Sequence, residues 1–138
     1  GALEIALHCD FVYTTNATKF GDTHTKFGLR PTWGMSQTLS RAVGQRRARE
    51  LSFTAKTFNG AQAVVWGIAN ESFETVEALD DALAATCAQI IANSTEAVAA
   101  MKDLYRLAER EEGVRASLER ELGLEYGISD TSKRLSKF

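Results

Sequence analysis

The sequence predicts an α/β fold, and two observations carry that prediction. Through about the first seventy residues, short β-branched or aromatic runs alternate with short helical patterns, which is an α/β organisation. From Thr75 onward the pattern changes to apolar residues at three- and four-residue spacing, which is helical. The 138 residues fit one domain and can bury a real core. A division, if one is drawn, falls near Ser72 to Thr75, leaving an α/β part over 1–72 and a helical region over 73–138.

Gly1 opens a first helix that Leu3, Ile5, Ala6, Leu7 and Cys9 make apolar on most sides, so it is expected to be buried. Glu4 in its first turn is then expensive unless it is hydrogen-bonded or used for chemistry. A helix start also presents unpaired N–H groups and a partial positive charge that favour a developing anion. Gly1 with Glu4 beside it is therefore a candidate reaction centre.

Phe11 to Thr15 reads as a short strand, Asn16-Ala17-Thr18 as a turn, and Lys19-Phe20-Gly21 as a second extended piece. Thr25 to Leu29 is expected to be a third. This run delivers Asp22 and His24 back toward the first helix, and alternation in an extended segment puts both on one face. Arg30-Pro31-Thr32-Trp33-Gly34 holds the only proline, which keeps Arg30 extended and ends any helix there. A helix from near Ser36 to Gly44 has Met35, Leu39 and Val43 on one face. Another, Gln45 to Phe53, turns Ala48, Leu51 and Ser52 inward and Arg46, Arg47 and Arg49 outward to solvent. Asn59 caps a helix over Gly60 to Trp66 that Gly67 ends, with Ile68-Ala69-Asn70 expected as a strand.

In the helical region Thr75 caps a helix carrying Val76, Leu79, Leu83, Cys87 and Ile90. Asn93 with Glu96 forms the capping pattern of the next, whose stripe is Val98, Met101, Leu104, Tyr105 and Ala108. A third helix is expected from about Val114 to Tyr126, with Leu118 and Leu122 on one side. Ser129 to Phe138 has few apolar anchors.

With 44% hydrophobic and 25% charged residues, the composition is that of an ordinary globular domain. The net charge of -2 argues against binding to nucleic acid or to a membrane surface. Cys9 and Cys87 are the only cysteines and no closely spaced Cys and His set offers metal ligands, so both are expected as free, buried thiols in a reducing compartment. No run approaches the roughly 18 apolar residues that span a bilayer, and no signal-peptide pattern is present. The protein is expected to be cytoplasmic unless a targeting segment precedes Gly1.

Gly1, Glu4, Ala6, Cys9 and Asp10 resemble the glycine-rich helix start of the enoyl-CoA hydratase/isomerase, or crotonase, superfamily. The resemblance continues in order through Ala17 to Gly21, Gly28-Leu29-Arg30-Pro31, Trp33-Gly34, Gln37-Thr38-Leu39, Arg41 to Gly44, Arg47 to Leu51, and Ala61 to Ala69. It implies part of a crotonase-like ββα spiral core followed by a helical trimerisation region, in a homotrimer or dimer of trimers. It also implies a larger N-terminal part before Gly1, bearing several strands and a second oxyanion donor. On that expectation the chain is the C-terminal half of a subunit and is inactive alone.

The resemblance implies an acyl-CoA substrate, with coenzyme A entering as a thioester and no separate cofactor. Its thioester oxygen sits between two backbone N–H donors that stabilise an enolate. Gly1 aligns with one donor, or is a glycine needed only for close packing. Glu4 aligns with the first of two acid/base glutamates, its other reading being a capping or salt-bridged residue paired with His8 one turn later. The second glutamate position falls on His24. Histidine can exchange a proton near neutral pH, so a Glu4/His24 pair can run acid/base chemistry, but His24 can equally be a packed structural residue. Asp22 either orients the imidazole or serves a turn. Trp33 is either pocket-lining, narrowing the acyl site beside Pro31, or core; Asp10 reads as structural. Lys133, Arg134 and Lys137 in the basic tail are candidates for CoA phosphate contacts or are simply solvated. The implied activity is enoyl-CoA hydratase-like addition of water to a 2-enoyl-CoA. The alternatives are an acyl-CoA hydrolase or decarboxylase, for which the oxyanion site largely suffices, and a non-catalytic acyl-CoA-binding or assembly module.

Overall fold

The computed structural model describes residues 1–108, 123–125, 127, 129 and 133. It is mixed α/β. In order come α1 (Ala2–Ala6), β1 (Tyr13–Thr15), β2 (Lys19–Phe20), a 3-10 turn (Thr25–Phe27), α2 (Met35–Val43), α3 (Gln45–Thr54), β3 (Phe58–Asn59), α4 (Gly60–Val65), β4 (Glu71–Phe73), α5 (Val76–Ala92) and α6 (Thr95–Ala108). The chain divides into two compact units, Gly1–Leu83 and Ala84–Phe138, with the boundary inside α5. Of the helix expected from Val114 to Tyr126, residues 114–122 and Tyr126 lie outside the described residues, and Gly123, Leu124 and Glu125 are not helical; Arg134 and Lys137 also lie outside the described residues.

Two strand pairs organise the first unit. β1 runs parallel to β4, with Tyr13 opposite Glu71 and Thr15 opposite Phe73, while β2 and β3 are antiparallel, with Phe20 opposite Phe58. A parallel pair needs a long crossover, and everything from β2 to α4 lies within it. The core gathers Leu3, Met35, Leu39, Ala48, Leu51, Phe58, Ala63, Ile68 and Ala69. Around it Phe20 stacks on Phe58 with centroids 5.5 Å apart, Phe58 meets Trp66 at 5.0 Å, and the Arg47 guanidinium lies 4.5 Å from the Trp66 ring centre. Arg47 is thus a packed cation rather than part of the solvated face expected for it; Arg46 and Arg49 do face solvent.

Side-chain caps start the last three helices. Asn59 Oδ1 accepts from the Gln62 N–H at 2.9 Å while Gln62 Oε1 accepts from the Asn59 N–H at 3.0 Å, a complete capping box for α4. Thr75 Oγ1 accepts from the Ala78 N–H at the start of α5. Helix α6 is capped by Ser94, whose Oγ accepts from the Ala97 N–H at 3.3 Å; Asn93, expected in that role, instead donates its N–H to the Ile90 carbonyl and closes α5.

Four further expectations are corrected. Thr25 to Leu29 is no strand, because Asp22 and His24 close a tight turn and Gly28, at φ 66°, ends it in the left-handed region. Ile68 and Ala69 give their N–H groups to the Ala63 carbonyl, wrapping the end of α4 beyond Gly67, so the strand begins only at Glu71. Helix α1 is shorter than expected and buries only Leu3 and Glu4, leaving Ile5 60% exposed. Both cysteines are free but exposed: Cys9 falls past the end of α1, and α5, which carries Cys87, buries no residue.

Gly60 joins the two strand pairs. A Cβ there would stand 2.0 Å from the Thr15 carbonyl oxygen, so only glycine lets α4 start against the end of β1. Gly60→Ala is expected to cost about 3 kcal/mol through forced backbone displacement. Gly28→Ala, with open space around its Cβ but a positive φ, should cost about 1 kcal/mol. Urea denaturation midpoints of the two variants check the order; equal losses would show that α4 can move off the Thr15 carbonyl cheaply and that crowding at Gly60 does not set the larger cost.

Candidate active site

A buried carboxylate stands at the centre of the site. Glu4 is 3% exposed, although it lies in the first turn of a five-residue helix. Its Oε1 accepts from the Trp33 backbone N–H at 3.3 Å, and its Oε2 faces His24 Nε2 at 3.6 Å and the Gly1 nitrogen at 3.7 Å. The sequence-predicted Gly1, Glu4 and His24 are therefore brought together. A gap of 3.6 Å is too long for a good hydrogen bond, and it leaves the facing atoms available to a proton carried by a third molecule.

His24 stands on the 3-10 turn as its capping residue, with 18% of its side chain exposed. Its Nδ1 lies 2.6 Å from Asp22 Oδ1, and the same oxygen accepts the His24 backbone N–H at 3.3 Å. The two residues share a face because an aspartate-closed turn folds them together, not because of strand alternation. Asp22 is 3% exposed. Burial pushes its carboxyl up, but hydrogen bonds with Ser52 and His24 outweigh that and hold it below its ordinary 3.8. The turn is tied to α3 by Thr25 Oγ1, which donates to the Ser52 carbonyl at 2.7 Å.

The loop before α2 supplies the remaining wall. His8 does not pair with Glu4, as a one-turn spacing suggested; its Nε2 donates to the Trp33 carbonyl at 2.7 Å, holding the backbone of the residue whose own N–H donates to Glu4. Gly34, at φ 93°, begins α2, and a Cβ there would meet the His8 ring at 3.4 Å. Trp33 is 58% exposed and so is not a core residue. Pro31 is half-buried in the same loop, and Asp10 is exposed. An open cavity of about 420 Å³ is lined by Val43, Gly44, Gln45, Arg46, Arg47 and Glu50 and includes none of Glu4, Asp22 or His24. Among the described residues no group of three or more acidic, His or Cys side chains could hold a metal, and no helix is long and apolar enough to cross a membrane.

Three contributors escaped sequence reasoning: the Trp33 backbone, His8 through that backbone, and Ser52 behind Asp22. Each acts across 25 or more residues of chain, and a backbone donor has no residue signature. Only the inward register of Ser52 on α3 hinted at a role.

Comparison with known proteins gives matches in both sequence and fold. The family model described as enoyl-CoA hydratase/isomerase matches residues 1–135. The chain is 43% identical over 79 residues to a probable peroxisomal enoyl-CoA hydratase 1 of Arabidopsis thaliana, covering 57% of this chain and 30% of that protein. It superposes on a putative enoyl-CoA hydratase from Thermobifida fusca, solved with acetoacetyl-CoA, with a TM-score of 0.81 and 28% identity over 100% of this chain and 51% of that one. An enoyl-CoA hydratase from Mycobacterium smegmatis gives a TM-score of 0.76 and 34% identity over 86% of this chain and 54% of that one. The chain thus spans about a third of the curated relative and about half of the solved ones.

Because Asp22 titrates below its ordinary value in the folded chain, it contributes stability that is full above pH 3.8 and fades as pH falls through the lowered value. The urea midpoint of Asp22→Asn should lie below that of the unaltered chain at about pH 6, and the gap should close as pH drops below about 4. A gap that stays constant with pH would mean that the carboxylate charge contributes nothing.

Proposed function

The chain belongs to the enoyl-CoA hydratase/isomerase family, and from that membership we propose that it carries the acid/base part of an acyl-CoA active site that adds water to a 2-enoyl-CoA. The observation that supports this most is the facing of Glu4 Oε2 and His24 Nε2 at 3.6 Å around a carboxylate that the fold has gone out of its way to bury.

The two groups suffice for a balanced cycle if they begin with one transferable proton between them. As the water oxygen bonds to the β-carbon, the double-bond electrons move onto the thioester oxygen. The Gly1 N–H and a second donor from outside this chain stabilise the resulting enolate. The member of the pair lacking the proton takes one from the water, and the other gives its proton to the α-carbon. The pair ends with the proton count it began with.

Exposed Trp33 and half-buried Pro31 border the acyl group in this reading; Lys137, the tail candidate for a CoA phosphate contact, lies outside the described residues. Exposed Val76, Ile90, Met101 and Tyr105 along α5 and α6 support a homotrimer or dimer of trimers. The chain alone is proposed to be inactive, since the solved relatives it matches are about twice its length.

A second reading, hydrolysis of the thioester or decarboxylation, is favoured by the resemblance, which implies that His24 takes the position of the family's second glutamate. Joining the chain to the N-terminal half of the Thermobifida fusca relative and following the enoyl band of crotonyl-CoA separates the readings. Hydration predicts loss of the band without release of free CoA, and Glu4→Gln should slow it about 10²-fold or more. Release of free CoA would move the assignment to hydrolysis. A Glu4→Gln protein as active as its parent would sink the hydration reading, which relies on Glu4.

A further inference from the structure

The two histidines of this chain have acceptors of fixed kind, and that determines which ring nitrogen carries the proton. The partner of His8 Nε2 is a backbone carbonyl, that of Trp33, at 2.7 Å. A carbonyl can only accept, so His8 is protonated at Nε2. The partner of His24 Nδ1 is the Asp22 carboxylate at 2.6 Å. An ionised carboxylate likewise only accepts, so His24 carries a proton at Nδ1 and leaves Nε2, which faces Glu4, as the nitrogen that can gain or give up a proton.

We propose that Asp22 is a positioning residue that locks His24 in the tautomer whose Nε2 exchanges protons at Glu4, so that the site works as a line of three residues, Asp22, His24 and Glu4. The inference rests on the acid/base reading of Glu4 and His24. What distinguishes Asp22 from an ordinary turn residue is that one oxygen, Oδ1, meets both the His24 backbone N–H and the ring Nδ1. The ring's position and its rotation are thus set by a single atom. The aspartate is itself buried to 3% exposure and braced by Ser52, whose helix also anchors the turn through Thr25. A turn needs only the backbone contact. The contact at Nδ1 adds nothing to the turn and decides which nitrogen faces Glu4.

The opposite tautomers of the two rings allow a direct test on the chain as it is, independent of turnover. In a long-range proton–nitrogen correlation spectrum at a pH where both rings are neutral, His24 should show a protonated, pyrrole-type Nδ1 and a pyridine-type Nε2. His8 should show the reverse, and His8→Gln identifies which set of signals is which. In Asp22→Asn the amide can donate as well as accept, so the Nδ1-protonated form of His24 should lose its dominance while the His8 signals stay where they were. Ser52→Ala, which leaves the Asp22–His24 contact in place, should preserve the His24 tautomer and covers the case in which Asp22→Asn does not fold. A wild-type His24 protonated at Nε2, an unchanged His24 tautomer in a folded Asp22→Asn, or its loss in Ser52→Ala would each overturn the proposal.

In a subunit completed as above, Asp22→Asn should lower kcat about 10²-fold with KM little changed. A purely structural aspartate would lower the amount of folded protein instead and leave the tautomer alone. Failure of the tautomer test leaves the activity of Glu4 standing, whereas a silent Glu4→Gln removes the reaction without touching the tautomers, so the two ideas fail separately.

Discussion

A carboxylate at 3% exposure in a helix of five residues is the constraint on which the rest of the first unit depends. Burying an ionisable group without partners costs several kcal/mol, and α1 offers none from its own side chains. The partners come from two other places in the chain: the Trp33 N–H on the loop before α2, and the His24 imidazole on the 3-10 turn. Each of those is held in turn, the loop by His8 and the 3-10 turn by Asp22 and Thr25.

Helix α3 couples this arrangement to the core. Leu51, 1% exposed, points into the apolar cluster, and the next residue, Ser52, supports the site through its side chain toward Asp22 and its carbonyl toward Thr25. Adjacent residues on a helix are about 100° apart, so one helix can serve core and site at once. The α2–α3 corner and the Phe20, Phe58, Trp66 and Arg47 stack fix where α3 sits. Loss of core packing is therefore transmitted to the imidazole, which ties stability and chemistry together at this point in the fold.

Much of this was legible in the residues, and what was not has identifiable causes. The apolar spacing of Met35 and Leu39, the inward Ala48 and Leu51, and the Asn59 and Thr75 caps are local signals, and the structure keeps them. Glu4 and His24 were reached through family resemblance, and their meeting needed the intervening chain to fold back. Local ambiguity misled at Asn93 and Ser94, two adjacent residues able to cap, of which the serine side chain does so. Tertiary competition misled at Ile68 and Ala69, whose N–H groups close a helix instead of joining a ladder. For His8, the one-turn spacing to Glu4 suggested a helical pair, but a carbonyl 25 residues away outcompetes it at 2.7 Å. The turn at Asp22 and His24 put both residues where strand alternation would have put them, for a different reason.

The central claim is that Glu4 and His24 act as one unit on the same proton inventory. A double-mutant cycle measures that most directly: kcat/KM for hydration by the completed subunit with Glu4→Gln, with His24→Gln, and with both. If the pair acts together, the double variant is hardly slower than the slower single one, because either change alone already breaks the cycle. If the two losses multiply, the groups act independently, and the facing of Glu4 and His24 at 3.6 Å is structural rather than catalytic.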